Sequence, residues 1–288
     1  MRGADNQSFP VLLKPHHASA NVHLPSISAI VQSRTVIALL TIAFIASCGA
    51  SAAYSAANDP ARPSIIEVLL KWAPLIGAGF LFNIAVSIAS MAIGTLTGTL
   101  LGLGQISLSP TIAKISWFLT QFFRNSPWLV LLFFAMFLLP FDFKIAGFTI
   151  PLPAWFKAII GLALPVMANV AEIVRGGIKS IPFSQWESAE SLAFSRRQIL
   201  WQIILPQAFK RMIPPWMNLY AILTMATTLI SVVGIQDSMT LTKAALVAEG
   251  RLDLYLPFYL MLLVMFFAYC YPIARMTQRL ERRVAVKF

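Results

Sequence analysis

Few polar residues in this sequence have a type and spacing that fit known catalytic or ligand-binding chemistry. Residues 176–180, GGIKS, resemble part of a phosphate-binding loop, but the G-x-x-x-x-G-K-[ST] spacing that cradles a nucleotide is missing. The sequence contains neither an H-E-x-x-H zinc motif nor a nucleophile elbow. His16, His17 and His23 have no Cys or acidic partner at ligand spacing, so no metal site is predicted. The chain itself is therefore expected to have no catalytic residue and to bind no cofactor.

Three charged residues lie inside or beside long apolar runs. Glu172 and Arg175 are three positions apart, so they can pair on one face of a helix. Arg124 lies early in another apolar run, within the segment FRNSP at residues 123–127. An arginine at this depth either extends its side chain to the lipid headgroups or faces a polar cavity. All three are candidates for a solute pathway or for the membrane interface.

The long polar passage at residues 182–206 has a regular pattern of its own. Ser184 with Glu187, and Ser195 with Gln198, each have the spacing of a capping box, in which two side chains satisfy free N–H groups at a helix start. Apolar residues follow each box at helical spacing. The passage is therefore predicted to form two short helices in tandem.

This passage resembles the EAA loop of ABC importer permeases, which carries the coupling helix of that family. The matching positions are Glu187, Ser188, Ala189, Ala193 and the run IILPQ at residues 203–207. The flanking residues 175–182 are similar to the polar amino-acid branch of the family. Pro206 lacks an N–H and is expected to stop or kink the second helix. Ala193 replaces the usual turn glycine, and it should stiffen the joint because alanine resists left-handed backbone.

The resemblance implies a set of partners and roles. In that family two permease subunits pair, identical or as sisters, and two ATPase subunits carrying ATP and Mg²⁺ dock on the coupling loops. A periplasmic protein delivers the solute. Glu187 would contact the ATPase groove, while Ser188, Ala189 and Ala193 would shape the loop. The capping box would also explain Glu187, so both roles stay open.

Composition independently predicts a membrane protein. The chain has 288 residues, of which 58% are hydrophobic and only 11% are charged, with a mean hydropathy of +0.75. The net charge of +11 does not indicate nucleic-acid binding, because the basic residues lie at the ends of apolar runs. The expected surrounding partner is membrane lipid.

The predicted fold class is an all-α polytopic membrane protein, a type I five-helix permease core with one extra N-terminal transmembrane helix. We predict a cytoplasmic tail at residues 1–34, the extra span at 35–57, and the permease domain at 74–283 with its coupling loop at 180–206. The core spans are predicted at residues 75–103, 117–139, 154–174, 212–235 and 254–274. A cleaved signal sequence is the alternative for residues 35–57.

Basic residues fix the expected orientation. With both termini in the cytoplasm of a bacterial inner membrane, all but six of the 22 Lys and Arg residues fall inside, as the positive-inside rule requires. The six exceptions are Arg62, Lys71, Lys144, Lys157, Lys243 and Arg251.

Uncharged polar residues within the spans are candidates for the solute path. They are Asn83, Asn169, Thr227 and Thr228. Each can contact a zwitterion, or equally form a hydrogen bond between helices. The family usually has a Lys-Asp pair where this chain has Met225 and Ala226. The alternative function is an ion-coupled secondary transporter or channel, which needs ionisable groups inside the membrane.

Overall fold

The computed structural model describes residues 63–145 and 148–284, together with four isolated positions between residues 42 and 49. In chain order, the elements of the two continuous ranges are α1 (Ile65–Gln105), α2 (Pro110–Arg124), α3 (Trp128–Leu138), β1 (Asp142–Ile145), β2 (Phe148–Pro151), α4 (Ala154–Lys179), α5 (Phe183–Ser191), α6 (Arg196–Gln198), a π-helical turn (Ile199–Ile204), α7 (Leu205–Ala226), a 3₁₀ segment (Thr227–Val233), α8 (Ser238–Glu249), a 3₁₀ turn (Leu252–Leu254) and α9 (Tyr255–Val284). The predicted tail at 1–34, and most of the predicted span at 35–57, lie outside the described residues.

The five core spans predicted from hydropathy are all found in the described part of the chain. Four continuous helical stretches are long and apolar enough to cross a membrane, and the bent pair α2–α3 meets the same criteria of length and composition when its two helices are taken together. The boundaries differ from prediction, mainly because helices extend beyond their apolar segments. Helix α1 begins at a capping box, in which the Ser64 hydroxyl accepts from the Glu67 N–H at 3.3 Å and the Glu67 carboxylate accepts from the Ser64 N–H at 3.1 Å.

Helices α1 and α4 pack closely along a face of small residues on α1. A Cβ added at Gly94 would lie 2.4 Å from a methyl group of Val166, and one at Gly98 would lie 2.5 Å from the Met167 carbonyl oxygen. The Ser90 hydroxyl donates to the Ile159 carbonyl at 3.1 Å. Small residues that recur every four positions along an apolar helix predict such a packing face, and the structure confirms this prediction for α1.

Helices α2 and α3 form a sharply bent pair. They bend by 104° at the short break that contains Pro127. After α3 the chain forms an antiparallel hairpin, in which Asp142 faces Pro151 and Ile145 faces Phe148. The hairpin lies between the spans predicted at 117–139 and 154–174, in a segment for which the sequence predicted no element. The remainder of the described fold is helical.

The predicted capping box at Ser184 and Glu187 is wrong. Helix α5 begins at Phe183, directly after Pro182, so Ser184 lies inside the helix. No side chain caps this helix start. The physical reason is that the proline ring fixes a backbone angle suited to a helix start and sets the boundary earlier than the serine does.

The second capping box, at Ser195 and Gln198, is confirmed. The Ser195 N–H donates to Gln198 Oε1 at 2.9 Å, and the Gln198 N–H donates to the Ser195 hydroxyl at 3.4 Å. Of the stop or kink predicted at Pro206, the stop is wrong, because one helical stretch runs from Arg196 to Val233, and what the structure shows there is an irregular π-helical turn just before the proline. The wider π-helical turn before the proline relieves the clash that its ring makes with an α-helical turn.

Helix α8 was not predicted from the sequence. The 3₁₀ segment ends at Gly234 with a positive φ of 81°, and Asp237 then caps α8 by accepting the Thr240 N–H at 2.9 Å. Helix α8 packs against α1, with Ser238 next to Gly79. It is too short and too polar to give a transmembrane signal.

Candidate functional site

A cavity with both polar and apolar lining residues lies between α4, α7 and the end of α2. Its volume is about 550 Å³, within the range of small-molecule sites. Its polar lining residues are Arg124, Asn169, Glu172, Ser180, Arg211 and Asn218. Three residues that the sequence singled out, Arg124, Asn169 and Glu172, therefore meet in one place. We refer to this space as the α4–α7 cavity.

Glu172 is the charged centre of the α4–α7 cavity. The predicted pairing with Arg175 is confirmed, since Arg175 Nη2 donates to Glu172 Oε2 at 2.6 Å and Arg175 Nε donates to Oε1 at 3.2 Å. Arg124 Nη1 lies 3.6 Å from Glu172 Oε2 and joins α2 to the pair. The Glu172 side chain is only 13% exposed, whereas that of Arg124 is 46% exposed. Arg124 therefore has both a protein partner and an open side toward the cavity.

Arg211 connects α7 to the end of α4. Its guanidinium donates to the carbonyl oxygen and the hydroxyl of Ser180, the C-cap residue of α4. A cation at a helix C-terminus satisfies free carbonyl groups and opposes the negative end of the helix dipole. The two helices that line the cavity are thus tied where the polar loop begins. Sequence reasoning missed this contact because the residues are 31 positions apart.

Two of the proposed path residues, Asn83 and Thr227, lie instead in a buried network. Asn83 Nδ2 donates to the Thr227 hydroxyl at 3.0 Å and to Asp237 Oδ2 at 3.2 Å. Asn83 Oδ1 accepts the Ser238 N–H at 3.1 Å. All four side chains are fully buried. In this conformation Asn83 and Thr227 make the interhelical hydrogen bonds that were the alternative interpretation.

Thr228, the remaining proposed path residue, makes a local hydrogen bond, and Asp237 is a buried residue that the sequence analysis did not propose. Thr228 is half-buried, and its hydroxyl donates to the Met225 carbonyl at 2.9 Å, within its own helical segment. Asp237 is an ionisable residue buried in the bundle that sequence reasoning missed. An aspartate directly before a run with helical apolar spacing is a helix-start pattern and could have identified it.

A separate pair of polar contacts ties the start of α1 to the end of α8. The Glu249 carboxylate accepts from Lys71 Nζ and from Trp72 Nε1, both at 2.7 Å. The hydrogen bond from Lys71, followed by that from Trp72, holds the pKa of the Glu249 carboxyl below its ordinary value. This end of the fold is therefore held by charge as well as by packing.

Residues 180–206, which contain α5 and α6, are referred to as the tandem-helix loop. The candidate residues of this loop are mostly exposed to solvent. Glu187 and Ser188 are exposed on α5, while Ala189 is only 3% exposed and packs against the rest of the fold. Within the described residues, the Glu187 carboxylate makes no hydrogen bond and no ion pair. Pro206 lies exposed at the start of α7. Because the capping box is absent, capping of a helix start does not explain the glutamate at position 187.

Ala193 forms the joint between α5 and α6 in a left-handed conformation, with φ of 59°. Its N–H donates to the Glu190 carbonyl at 2.9 Å, and the Phe194 N–H donates to the Ala189 carbonyl at 3.3 Å. The turn therefore keeps the shape that glycine usually provides. Because an L-residue here is strained, the joint is stiff at a cost in stability.

Ala193→Gly is expected to increase the free energy of unfolding by about 0.5 to 1 kcal/mol. Glycine relieves the left-handed strain, and the greater freedom of the unfolded chain offsets part of that gain. The measurement is denaturant unfolding of the purified chain in detergent. Ser188→Gly is the matched control: it lies inside α5 and should lower stability by a similar amount. A loss of stability in both variants would contradict the strain at Ala193.

Comparisons with known proteins agree with this architecture. Residues 94–286 match the family model described as "Binding-protein-dependent transport system inner membrane component". The inner membrane amino-acid ABC transporter permease protein YhdY of Escherichia coli (strain K12) is 33% identical over 186 residues, which is 65% of this chain and 50% of that protein. The probable amino-acid ABC transporter permease protein y4tF of Sinorhizobium fredii (strain NBRC 101917 / NGR234) is 33% identical over 205 residues, 70% of this chain and 84% of that protein. The chain thus spans half of one relative and most of the other.

Solved structures share the fold. A chain from the crystal structure of an amino acid ABC transporter with histidines superposes with a TM-score of 0.66 and 25% identity, covering 75% of this chain and 96% of that one. A chain of the MetNI methionine ABC transporter has a TM-score of 0.57 at 18% identity, covering 74% and 97%. At that identity the second likeness concerns the fold alone.

The chain belongs to the family of binding-protein-dependent transport system inner membrane components. It is a multi-pass permease of the amino-acid ABC importer type, built on a type I five-helix core. The family membership that the EAA-like loop predicted is thereby confirmed. The family does not favour an ion-coupled secondary transporter.

Proposed function

We propose that this permease moves an amino acid or a similar small polar solute across a bacterial inner membrane, driven by ATP hydrolysed on a separate subunit. One structural observation carries the mechanism. The exposed loop of α5 and α6 is joined directly to α4 on one side and to α7 on the other, and these two helices line the α4–α7 cavity. A partner protein that binds the loop and fixes its position can therefore change the shape of the cavity.

The partner on the loop is an ABC ATPase, which supplies both ATP and Mg²⁺. Glu187 contacts its docking groove, Ser188 lies beside it, and the buried Ala189 and strained Ala193 hold α5 at a fixed angle. Pro206 marks the return of the chain to the membrane. ATP binding drives transport because the clamped loop favours one permease conformation over another. The loop and both termini lie in the cytoplasm, in keeping with the basic residues around the loop.

The α4–α7 cavity provides half of the solute path. Arg124 offers donors to a carboxylate, as does the second N–H of the Asn169 amide, whose first N–H donates to the Pro165 carbonyl at 2.8 Å. Glu172 and Arg175 set the local charge. Asn83, Thr227 and Thr228 enter the path only if the helices rearrange, as alternating access requires. A second permease subunit, identical or a sister, supplies the other half, and a periplasmic solute-binding protein delivers the solute.

The test is uptake by the purified complex in vesicles. The chain is isolated with its genomic neighbours, reconstituted, and supplied with radiolabelled amino acids and the neighbouring binding protein. Uptake that requires ATP inside the vesicles and the binding protein outside is expected. Uptake that continues without ATP would contradict the proposal, as would isolation of the chain free of any ATPase.

A further inference from the structure

We propose that an anionic phospholipid binds in a second cavity, at the junction of the coupling loop with the membrane helices. This loop cavity has a volume of about 540 Å³. Its lining includes Gln105 at the end of α1, Lys179 at the end of α4, Trp186 on α5, and Arg196 on α6. The end of α1 and the segment from the end of α4 to α6 therefore form its walls.

The loop cavity has two cationic side chains, Lys179 and Arg196, whose N–H donors remain available to a ligand. Both are exposed, and neither makes a hydrogen bond or ion pair with any described residue. By contrast, Arg175 and Arg211 are both bonded to protein acceptors. The described lining of the cavity contains no Asp or Glu. Two cations without a counter-charge provide a site for a phosphate group.

The remaining wall of the loop cavity is apolar. Ile106 and Leu200 line it and are half-buried, and Phe183 at its edge is 71% exposed. A free phosphate would bind the cations but leave this apolar surface uncovered, whereas a lipid acyl chain would cover it. The chemistry of the cavity, cations beside an apolar wall, matches a lipid with an anionic headgroup.

The position of the loop cavity places it at the membrane surface. Gln105 ends α1 and Lys179 ends α4, and both lie just beyond the apolar spans predicted at residues 75–103 and 154–174. The cavity therefore opens at the level of the headgroups, where Trp186 is also favoured as an interfacial residue. Basic pockets between membrane helices at this depth are suited to anionic headgroups.

A lipid in this site would link the loop to the membrane helices, because it contacts α1, α4, α5 and α6 together. The binding site itself depends only on the membrane placement of α1 and α4. Its effect on transport rests on the proposed function, since only then does the loop position control ATP-driven uptake. We expect a bound lipid to favour productive docking of the ATPase.

The experiment measures lipid binding directly, on the chain purified with its partner subunits. After delipidation, phosphatidylglycerol is added and bound lipid is counted by native mass spectrometry. The double variant Lys179→Gln with Arg196→Gln should weaken binding roughly thirtyfold, from the loss of two interfacial charges. Lys210→Gln with Arg197→Gln is the matched control, because both residues are exposed and outside the lining. It should change affinity less than about twofold, since charges outside the site contribute little.

Two further arms separate the possible ligands. Phosphatidylcholine should bind much more weakly, and inorganic phosphate should not displace phosphatidylglycerol. Equal weakening in both double variants would overturn the proposal, as would equal binding of phosphatidylcholine. If the Lys179 and Arg196 variant retained its lipid but lost the ATPase on purification, the cations would bind a protein partner and the lipid site would be refuted. Because lipid counting requires no transport, a failure of the lipid site can be distinguished from a failure of ATP-driven uptake.

Discussion

Glu172→Gln should reduce ATP-driven uptake by at least about tenfold. Among the described residues, Glu172 is the acid that pairs with both Arg124 and Arg175. Its loss leaves two cations beside the cavity without a counter-charge. A hydrogen bond to a charged group contributes about 1.5 to 3 kcal/mol, and 1.4 kcal/mol corresponds to a factor of ten. The measurement is the initial uptake rate in vesicles containing equal amounts of complex.

Two comparisons make this result specific. Glu281→Gln removes the same charge from an exposed position on α9 and should leave uptake within about twofold of the original. The double variant Glu172→Gln with Arg175→Gln restores the charge balance, so a double-mutant cycle reports the coupling between the pair. Unchanged uptake in the single variant would show that the ion cluster is not needed for transport.

Glu187→Gln should reduce uptake about tenfold while leaving the fold intact. The Glu187 carboxylate is exposed and is bonded to no other described residue, so its removal should change the free energy of unfolding by less than about 0.5 kcal/mol. The expected defect is loss of a charged contact with the ATPase. The measurements are stimulated ATP hydrolysis and uptake, with denaturant unfolding of the same sample.

Glu190→Gln is the matched control for Glu187. It lies three residues further along α5, is also exposed, and removes the same charge. We expect it to change uptake by less than about threefold, because the EAA-like pattern contains Glu187 and not Glu190. Equal defects in both variants would indicate a general effect of negative charge and would contradict a specific docking role.

Patterns that depend on near neighbours in the sequence were predictable. Apolar length gave the spans, and the spacing of Ser90, Gly94 and Gly98 gave the α1 face that packs on α4. The capping box at Ser195 was also local, because both of its hydrogen bonds lie within four residues. Such features need no knowledge of the tertiary fold.

The sequence predictions were wrong or incomplete for two physical reasons. At α5, the fixed backbone of Pro182 competed with Ser184 for the helix start, and a capping pattern alone does not reveal which prevails. The contact of Arg124 with Glu172 joins residues that are far apart in sequence. It arises from the packing of α2 against α4, so local spacing could predict only the Glu172–Arg175 half of the cluster.

The way the tandem-helix loop is held has a consequence for the strength of partner binding. Ser195 caps α6, Arg211 holds Ser180, and Ala189 is anchored in the core. The loop therefore has its shape before a partner arrives. Association is spared the entropy of ordering a flexible segment, which costs about 0.5 to 1.5 kcal/mol for each immobilised side chain. Preorganisation of this kind lets a small docking surface support a stable complex.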